Sequence, residues 1–497
     1  MRYISCICVR MEENLKVILY IILCLSVLVS GSTFDLKFGG IKMEEGYDLI
    51  NTSDGSFVAV GTTNSYGTEL NDLDGYFIKI DSLGSLLWEK NLKGIFVDLF
   101  IKVRQTSDDG FIILGKNDFT ISEPMSFCKP WLVKYDRTGK LKWENYYTET
   151  DIKYDVNDFM IADDGGFLII GTCITNSGTK DIWLMKTDSR GVKEWEKIFD
   201  GGLNDEGSSI VNNFSGGYLI MGNSQRVIDS KLRNQVWAIN VDQSGNIGQN
   251  GIISISSDAK KCTSICSNPD NSYTIIGSLN EGVQPPDPIF PPPDPPIVFF
   301  HGFYILKFYS NLSTEWIKYI NWDEYDFLRI SSICNSYDGG FVFLGTTLTS
   351  KTNLFLAKTN GYGDIVWIRD YCSLLGYTET GNVIQLSDNS LALCGTADLI
   401  NNYPDVSCQI CIIKTDSSGN VIYPPAITSF SNDLNNVSIN WEAVSNAGSY
   451  IVFASDTPDS NFTAIDTTAV NSWSSAVADS LKKNFYYIKA RTENLGK

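Results

Sequence analysis

The chain holds a single histidine, His301. That removes Ser-His-Asp and Cys-His activation of a nucleophile, and it removes multi-histidine metal sites. The residues left with chemical potential are carboxylates beside aromatic rings, grouped in segments that join one repeat to the next. They are Glu44, Glu45 and Tyr47; Glu149, Asp151 and Tyr154; Asp205 and Glu206; and Trp322, Asp323, Glu324 and Tyr325. Rings beside acids suit a sugar or a cation, so Tyr47, Tyr154, Asp205, Glu206, Trp322, Asp323, Glu324 and Tyr325 are the candidate ligand-binding residues. A carboxylate pair for general acid-base work stays open on the same residues. Asn71-Asp72-Leu73-Asp74-Gly75 offers oxygen ligands but lacks the twelfth-position glutamate of an EF-hand loop, so structural Ca²⁺ is an open reading there. No catalytic residue, metal centre or organic cofactor is expected.

The cysteines add little. Cys408-Gln-Ile-Cys411 is a lone pair with no second pair to complete a zinc site. The others are scattered through apolar segments, which is unlike a disulfide framework. Cys262 and Cys266, four apart in a strand-like stretch, are expected to share a face.

A formal charge of −19 over 497 residues argues against nucleic acid, whose phosphates the summed field would repel. Arg2, Arg10 and Lys16 precede an apolar run from Val17 to Val29 that ends in Ser30-Gly31-Ser32. This opening reads as a signal peptide over residues 1–31, and it predicts a secreted or cell-surface protein. A membrane is expected to be involved only through that segment or through a tail beyond Lys497.

These candidates need elements to position them, and the elements come as a repeat. Seven times between about residues 39 and 423, an Asp-Gly-like turn opens an apolar strand that ends in glycine: Gly61, Gly115, Gly171, Gly222, Gly277, Gly345 and Gly395. Each is followed by an alternating strand, a turn and usually a tryptophan, as in Ile182-Trp183-Leu184-Met185-Lys186-Thr187-Asp188 leading to Gly191 and Trp195. Trp88, Trp143, Trp316 and Trp367 hold the same place. Four strands per repeat, with periodic aromatic residues, predict blades that bury their faces against one another. The expected fold is all-β, a seven-bladed β-propeller of four-stranded blades over residues 32–423.

The seventh repeat lacks its outer strand, whereas Phe34-Asp35-Leu36-Lys37-Phe38-Gly39-Gly40 precedes the first blade without one of its own. The N-terminal strand is therefore expected to complete the last blade and remove two open sheet edges. The repeat, Asp-Gly-Gly-Phe through Asp-x-Trp and Lys-x-Asp-x-x-Gly to Trp, resembles those of bacterial and archaeal secreted propeller proteins that carry fibronectin type III modules. Residues 424–497, with strands at Val437–Trp441, Tyr450–Ser455 and Phe485–Ala490, look like such a module, a β-sandwich whose last strand is missing.

In such a fold the second-to-third strand connections and the blade-to-blade connections share one face. The long stretches Thr62–Asp74, Lys116–Pro130, Asn223–Gln235, Ser278–Gly302 and Ala397–Ser407 read as loops there. Eight of the fifteen prolines fall between Pro285 and Pro296, which predicts an extended arm. The expected function is non-catalytic binding or adhesion, with an extracellular protein or glycan as partner. The alternative is a propeller enzyme, quinoprotein-like or carbohydrate-active, using loop carboxylates. The Asp136-to-Trp143 turn resembles the tryptophan-docking repeat of quinone propellers, but no eighth repeat or adjacent cysteine pair accompanies it. Sialidase Asp-boxes are also similar, but they are shorter and need an arginine cluster. This chain has eight dispersed arginines after residue 31.

Overall fold

The computed structural model describes residues 6–10, 18–22, 33–66, 73–92, 97–120, 127–149, 152–175, 178–228, 230–253, 261–279, 302–321, 327–348, 352–374, 380–402, 405–423, 427–432, 436–443, 447–455, 463–476 and 485–492. They form two compact units, one of residues 36–385 and 392–412, the other of residues 1–35, 386–391 and 413–497. Among the described residues the structure is all-β, and five of its antiparallel sheets are four-stranded. No described helix is long and apolar enough to cross a membrane.

The first sheet shows why the chain repeats as it does. Its strands are Glu44–Asn51, Phe57–Thr63, Asp74–Ile80 and Leu86–Leu92, paired in chain order. The first alternates between buried and half-buried residues, the two middle strands are buried throughout, and the fourth is largely exposed. A strand buried on both faces needs a continuous apolar run, and only neighbouring sheets on either side supply that burial. The cores bear this out. Val58, Phe77, Phe100 and Trp131 form one cluster drawn from two successive sheets, and Leu219, Ala238, Ile275 and Tyr304 form another. Each such large side chain contributes roughly 1.5–3 kcal/mol. Phe57, Phe111, Phe167, Tyr218, Tyr273 and Phe341 are all buried, as expected.

The next eight strands form one sheet whose halves, Leu99 to Tyr146 and Lys153 to Phe199, meet at the pair Cys128↔Tyr154. Further four-stranded sheets begin at Asp205, Lys261 and Phe327. The last combines Thr380–Gln385, Leu391–Asn402 and Asp405–Thr415 with Phe34–Phe38, so the N-terminal strand does complete it. Beyond that strand the two ends stay joined. The amide of Cys408 donates to Lys42 O at 3.1 Å, and Asn382 Nδ2 donates to Asp48 Oδ1 at 2.8 Å.

At four junctions a tryptophan secures one group of four strands to the next. A methyl group built on Gly139, Gly191, Gly245 or Gly363 would meet Trp88, Trp143, Trp195 or Trp316 of the preceding four strands at 3.3, 2.7, 2.6 and 2.8 Å. These glycines also have φ between 74° and 80°. Glycine is therefore required twice, by the left-handed turn and by the indole. The tryptophans are half-buried lids on the inter-sheet cores rather than core centres.

A register shift recurs in the first strand of successive sheets, between Gly46 and Asp48, Phe100 and Lys102, Val156 and Asp158, Gly207 and Ser209, Cys262 and Ser264, and Ile330 and Ser332. This bulge corrects one expectation. Cys262 and Cys266 do not share a face, because the extra residue between them reverses the alternation. Cys262 lies in the core with Leu219 and Tyr304, while Cys266 packs against the core of Ile276 and Phe343. Three expected loops are corrected as well. Lys116–Pro130 carries ladder pairs from Lys116↔Pro130 to Thr120↔Phe127. Asn223–Gln235 continues the ladder of Tyr218–Ile228 with Lys231–Val241 out to the pair Ile228↔Lys231, and the strands Leu391–Asn402 and Asp405–Thr415 leave only residues 403–404 between them.

The second unit has one sheet of Ile427–Asn432, Asn436–Trp441 and Ser472–Ala476. Another contains Thr463–Thr468, Ala447–Ser455 and Phe485–Thr492. Trp441, Tyr450, Trp473 and Tyr486 close their shared core. The strand carrying Trp473 was not foreseen. Cys6–Arg10 and Ile18–Ile22 are extended and pair with each other, and Cys6–Arg10 also pairs with Phe485–Thr492. The rest of the apolar leader from Val17 to Val29, Asn71 and Asp72 of the oxygen-rich loop, and the proline arm with His301 lie outside the described residues.

Candidate functional site

The sheet end that carries the second-to-third strand connections also carries the passages from one sheet to the next. Between the strands Lys193–Phe199 and Asp205–Asn212 that passage is Asp200-Gly201-Gly202-Leu203-Asn204. It borders a cavity of about 250 Å³ lined by Lys180, Asn204, Glu206, Asn223, Gln225, Asn234 and Lys261. Every lining residue is polar, and they come from three successive sheets.

The charged residues of this cavity are mutually paired. Lys180 Nζ lies 2.7 Å from Glu206 Oε1, and Lys261 Nζ lies 3.6 Å from Glu206 Oε2. Burial raises the Glu206 pKa, but the two lysines outweigh it and hold the carboxyl below its ordinary value. The carboxamides form a second layer. Asn204 Nδ2 donates to Gln225 Oε1 at 3.0 Å, Asn204 Oδ1 accepts from the amide of Lys180 at 3.1 Å, and Asn223 Oδ1 accepts from the buried amide of Cys262 at 2.7 Å. Asn234 and Gln225 face each other across the extended hairpin. The result is a wall of donors and acceptors around one fixed carboxylate. That arrangement matches a ligand rich in hydroxyl or amide groups.

Next to Lys180 and Glu206 in the chain stand Asp181 and Asp205, and with Asp200 they bring together one carboxylate oxygen each, all within 4.8 Å of one another. Asp205 Oδ2 accepts from the amide of Gly201 at 2.6 Å, and Asp200 Oδ1 from the amide of Gly202 at 2.6 Å. Burial, then the charges of Asp200 and Asp205, push the Asp181 pKa up to about 6.

The expected site residues divide. Glu206 is in the polar cavity, and Asp205 lies one position away in the acidic cluster. Tyr154 is only 2% exposed and packs on Trp183 with ring centroids 4.9 Å apart. It borders a separate cavity of about 160 Å³ with Tyr146, Tyr147, Glu149 and Glu196. Tyr47 is the extra residue of the first-strand bulge, and its phenol donates to Glu45. Trp322, Asp323, Glu324 and Tyr325 fall outside the described residues. Lys180, Asn204, Asn223, Gln225, Asn234 and Lys261 were not anticipated. Their signal was weak because asparagine and glutamine ordinarily mark turns and strand ends rather than chemistry.

Among the described residues the thiols do not form a second site. Cys128, Cys173, Cys262, Cys266, Cys334 and Cys394 are free thiols. Burial pushes Cys128, Cys173, Cys262, Cys334 and Cys394 up to about 12, which keeps them protonated and unreactive at neutral pH. Cys408 and Cys411 are both buried on Asp405–Thr415, three apart, a spacing that puts them on opposite faces of the strand.

No protein-family model and no curated sequence matches this chain. Several solved structures do. The BP39L lectin of Burkholderia pseudomallei is 9% identical over 76% of this chain and 96% of its own, with a TM-score of 0.46. The β-propeller domain of the Trilobed protease of Pyrococcus furiosus is 10% identical over 75% of this chain and 95% of its own, with a TM-score of 0.40. An endo-arabinase of Bacteroides thetaiotaomicron is 13% identical over 62% of this chain and 91% of its own, with a TM-score of 0.30. The expectation that the chain is not an enzyme is therefore withdrawn, since enzymes stand beside a lectin among the similar structures, and at these identities none of them assigns a reaction. The all-strand architecture of four-stranded antiparallel sheets is consistent with a propeller repeat protein.

Proposed function

We propose that this chain is a secreted or cell-surface binding protein, a seven-bladed β-propeller followed by a fibronectin type III-like module. Its ligand is an extracellular glycan held in the polar cavity between Lys180 and Lys261. The observation that carries this reading is the composition of the cavity. Three asparagines, a glutamine, two lysines and one glutamate converge from three sheets, with no apolar residue among them. Hydroxyl groups each need a donor and an acceptor, and carboxamides supply both at once. A cationic ligand fits less well, because Glu206 is already paired with both lysines.

A glycan array probed with residues 32–497, followed by mass spectrometry of the bound sugars, tests this. Binding to a restricted set of neutral glycans is expected. Gln225→Ala and Asn234→Ala are expected to weaken it about tenfold each, the worth of one or two hydrogen bonds. Retention of full affinity by both variants, or no glycan bound at all, overturns the proposal. Cleavage of the bound sugar would assign catalysis to the same cavity.

A further inference from the structure

We propose that Asp181, Asp200 and Asp205 form a Ca²⁺ site that ties the third strand of one sheet to the first strand of the next. The three residues converge from separate places. Asp181 is the second residue of Lys180–Thr187, Asp200 follows Lys193–Phe199, and Asp205 opens Asp205–Asn212. One oxygen of each lies within 4.8 Å of the others. Ligands on opposite sides of a Ca²⁺ at 2.3–2.6 Å are separated by roughly that distance.

A second observation is independent of the clustering. Asp181 is only 4% exposed, and its Oδ1 has no hydrogen-bond partner. A buried carboxylate oxygen left unpaired among two other acids is costly unless a cation answers it. The neighbouring guanidinium of Arg226 acts on Asp205 by charge, while its Nη1 donates to the Gly201 carbonyl and the group lies 5.4 Å from the Trp237 ring centroid. One guanidinium against three carboxylates leaves the site negative. Asp200 is exposed, which opens the cluster to the water ligands that Ca²⁺ needs beyond three carboxylates. An all-carboxylate set without sulfur or imidazole favours a hard cation over zinc or copper. The site differs from the oxygen-rich loop Asn71 to Gly75.

Calcium titration of chelator-stripped protein by calorimetry, paired with thermal melts, tests the site. The expected results are a Kd on the order of 10⁻⁴–10⁻³ M and a rise in the thermal midpoint of roughly 2–4 °C at saturation. Asp181→Asn and Asp200→Asn are each expected to weaken binding at least tenfold and to remove the thermal rise. Asp72→Asn, in the other oxygen-rich loop, is expected to leave both unchanged. Absence of heat and thermal shift overturns the site, as does a response kept by Asp200→Asn or lost in Asp72→Asn. Because Asp200 is exposed, its variant decides the matter even where Asp181→Asn fails to fold. Neither outcome depends on glycan binding, which is read separately on the array.

Discussion

Asn382 and Asp48, 334 residues apart, meet through a hydrogen bond of 2.8 Å from Asn382 Nδ2 to Asp48 Oδ1. Asp48 is fully buried, and its other oxygen accepts from the Val103 amide at 2.9 Å and from Arg104 Nη1 at 2.8 Å. Arg104 Nη2 in turn lies 3.6 Å from Asp158 Oδ1, and Asp158 Oδ2 accepts from the Ser209 hydroxyl at 2.7 Å. A polar belt thus runs from the last sheet through the first to the fourth group of strands, each step made by a residue at or beside the first-strand bulge.

Asp48→Ala is expected to destabilise the unit of residues 36–385 and 392–412 by about 2–3 kcal/mol, because it removes the acceptor of the Val103 amide and of Arg104 Nη1. Asn382→Ala is expected to cost about 1 kcal/mol. Equilibrium urea unfolding of both variants checks the order. A smaller effect for Asp48→Ala than for Asn382→Ala would show that the belt does not carry the closure.

Gly245→Ala and Gly216→Ala separate backbone strain from tryptophan docking. Gly216 has φ of 93° with nothing near its missing side chain, so alanine there is expected to cost about 1–2 kcal/mol. Gly245 has φ of 75° and Trp195 in the way at 2.6 Å, so alanine is expected to cost about 1–3 kcal/mol more. Equal thermal shifts for the two variants would refute the docking role of Trp195.

Acid sensitivity follows from the turn aspartates. In six of the four-strand repeats a lysine of the third strand pairs with an aspartate of the turn after the first strand, as Lys134 Nζ does with Asp108 Oδ1 at 2.7 Å. Burial raises the Asp108 pKa, but Lys134, Thr106 and the Gly110 amide outweigh it and bring it down to about 2. A depressed folded-state pKa means stability that is complete above the ordinary aspartate range and lost as pH falls toward 2. Thermal midpoints measured from pH 6 to pH 2 should decline over that window, and less steeply in Asp108→Asn. An unchanged slope in the variant would remove Asp108 from the account.

The free thiols should resist Ellman's reagent in the native protein at pH 8 and react once the protein is unfolded in guanidinium. Rapid native labelling of Cys128, Cys173 or Cys394, located by peptide mapping, would contradict their burial.

The sequence by itself determined the four-stranded repeat, its turn glycines, the buried aromatic residues and the N-terminal strand that completes the last sheet. Those features follow from local alternation, from φ requirements and from counting strands, all of which a single segment carries. It even marked Asp205 and Glu206, because acids in a connecting segment stand out by type. It misplaced the partnership of Cys262 and Cys266 and read Asn223–Gln235 as a loop, since a one-residue bulge or an extended ladder leaves no distinct trace in residue types. The tertiary structure alone decided that Lys180, Asn223, Asn234 and Lys261 share a cavity, that Asp181 joins Asp200 and Asp205, and that Asn382 reaches Asp48. Each of those contacts depends on the register of strands in different sheets, and register is fixed only when neighbouring sheets pack.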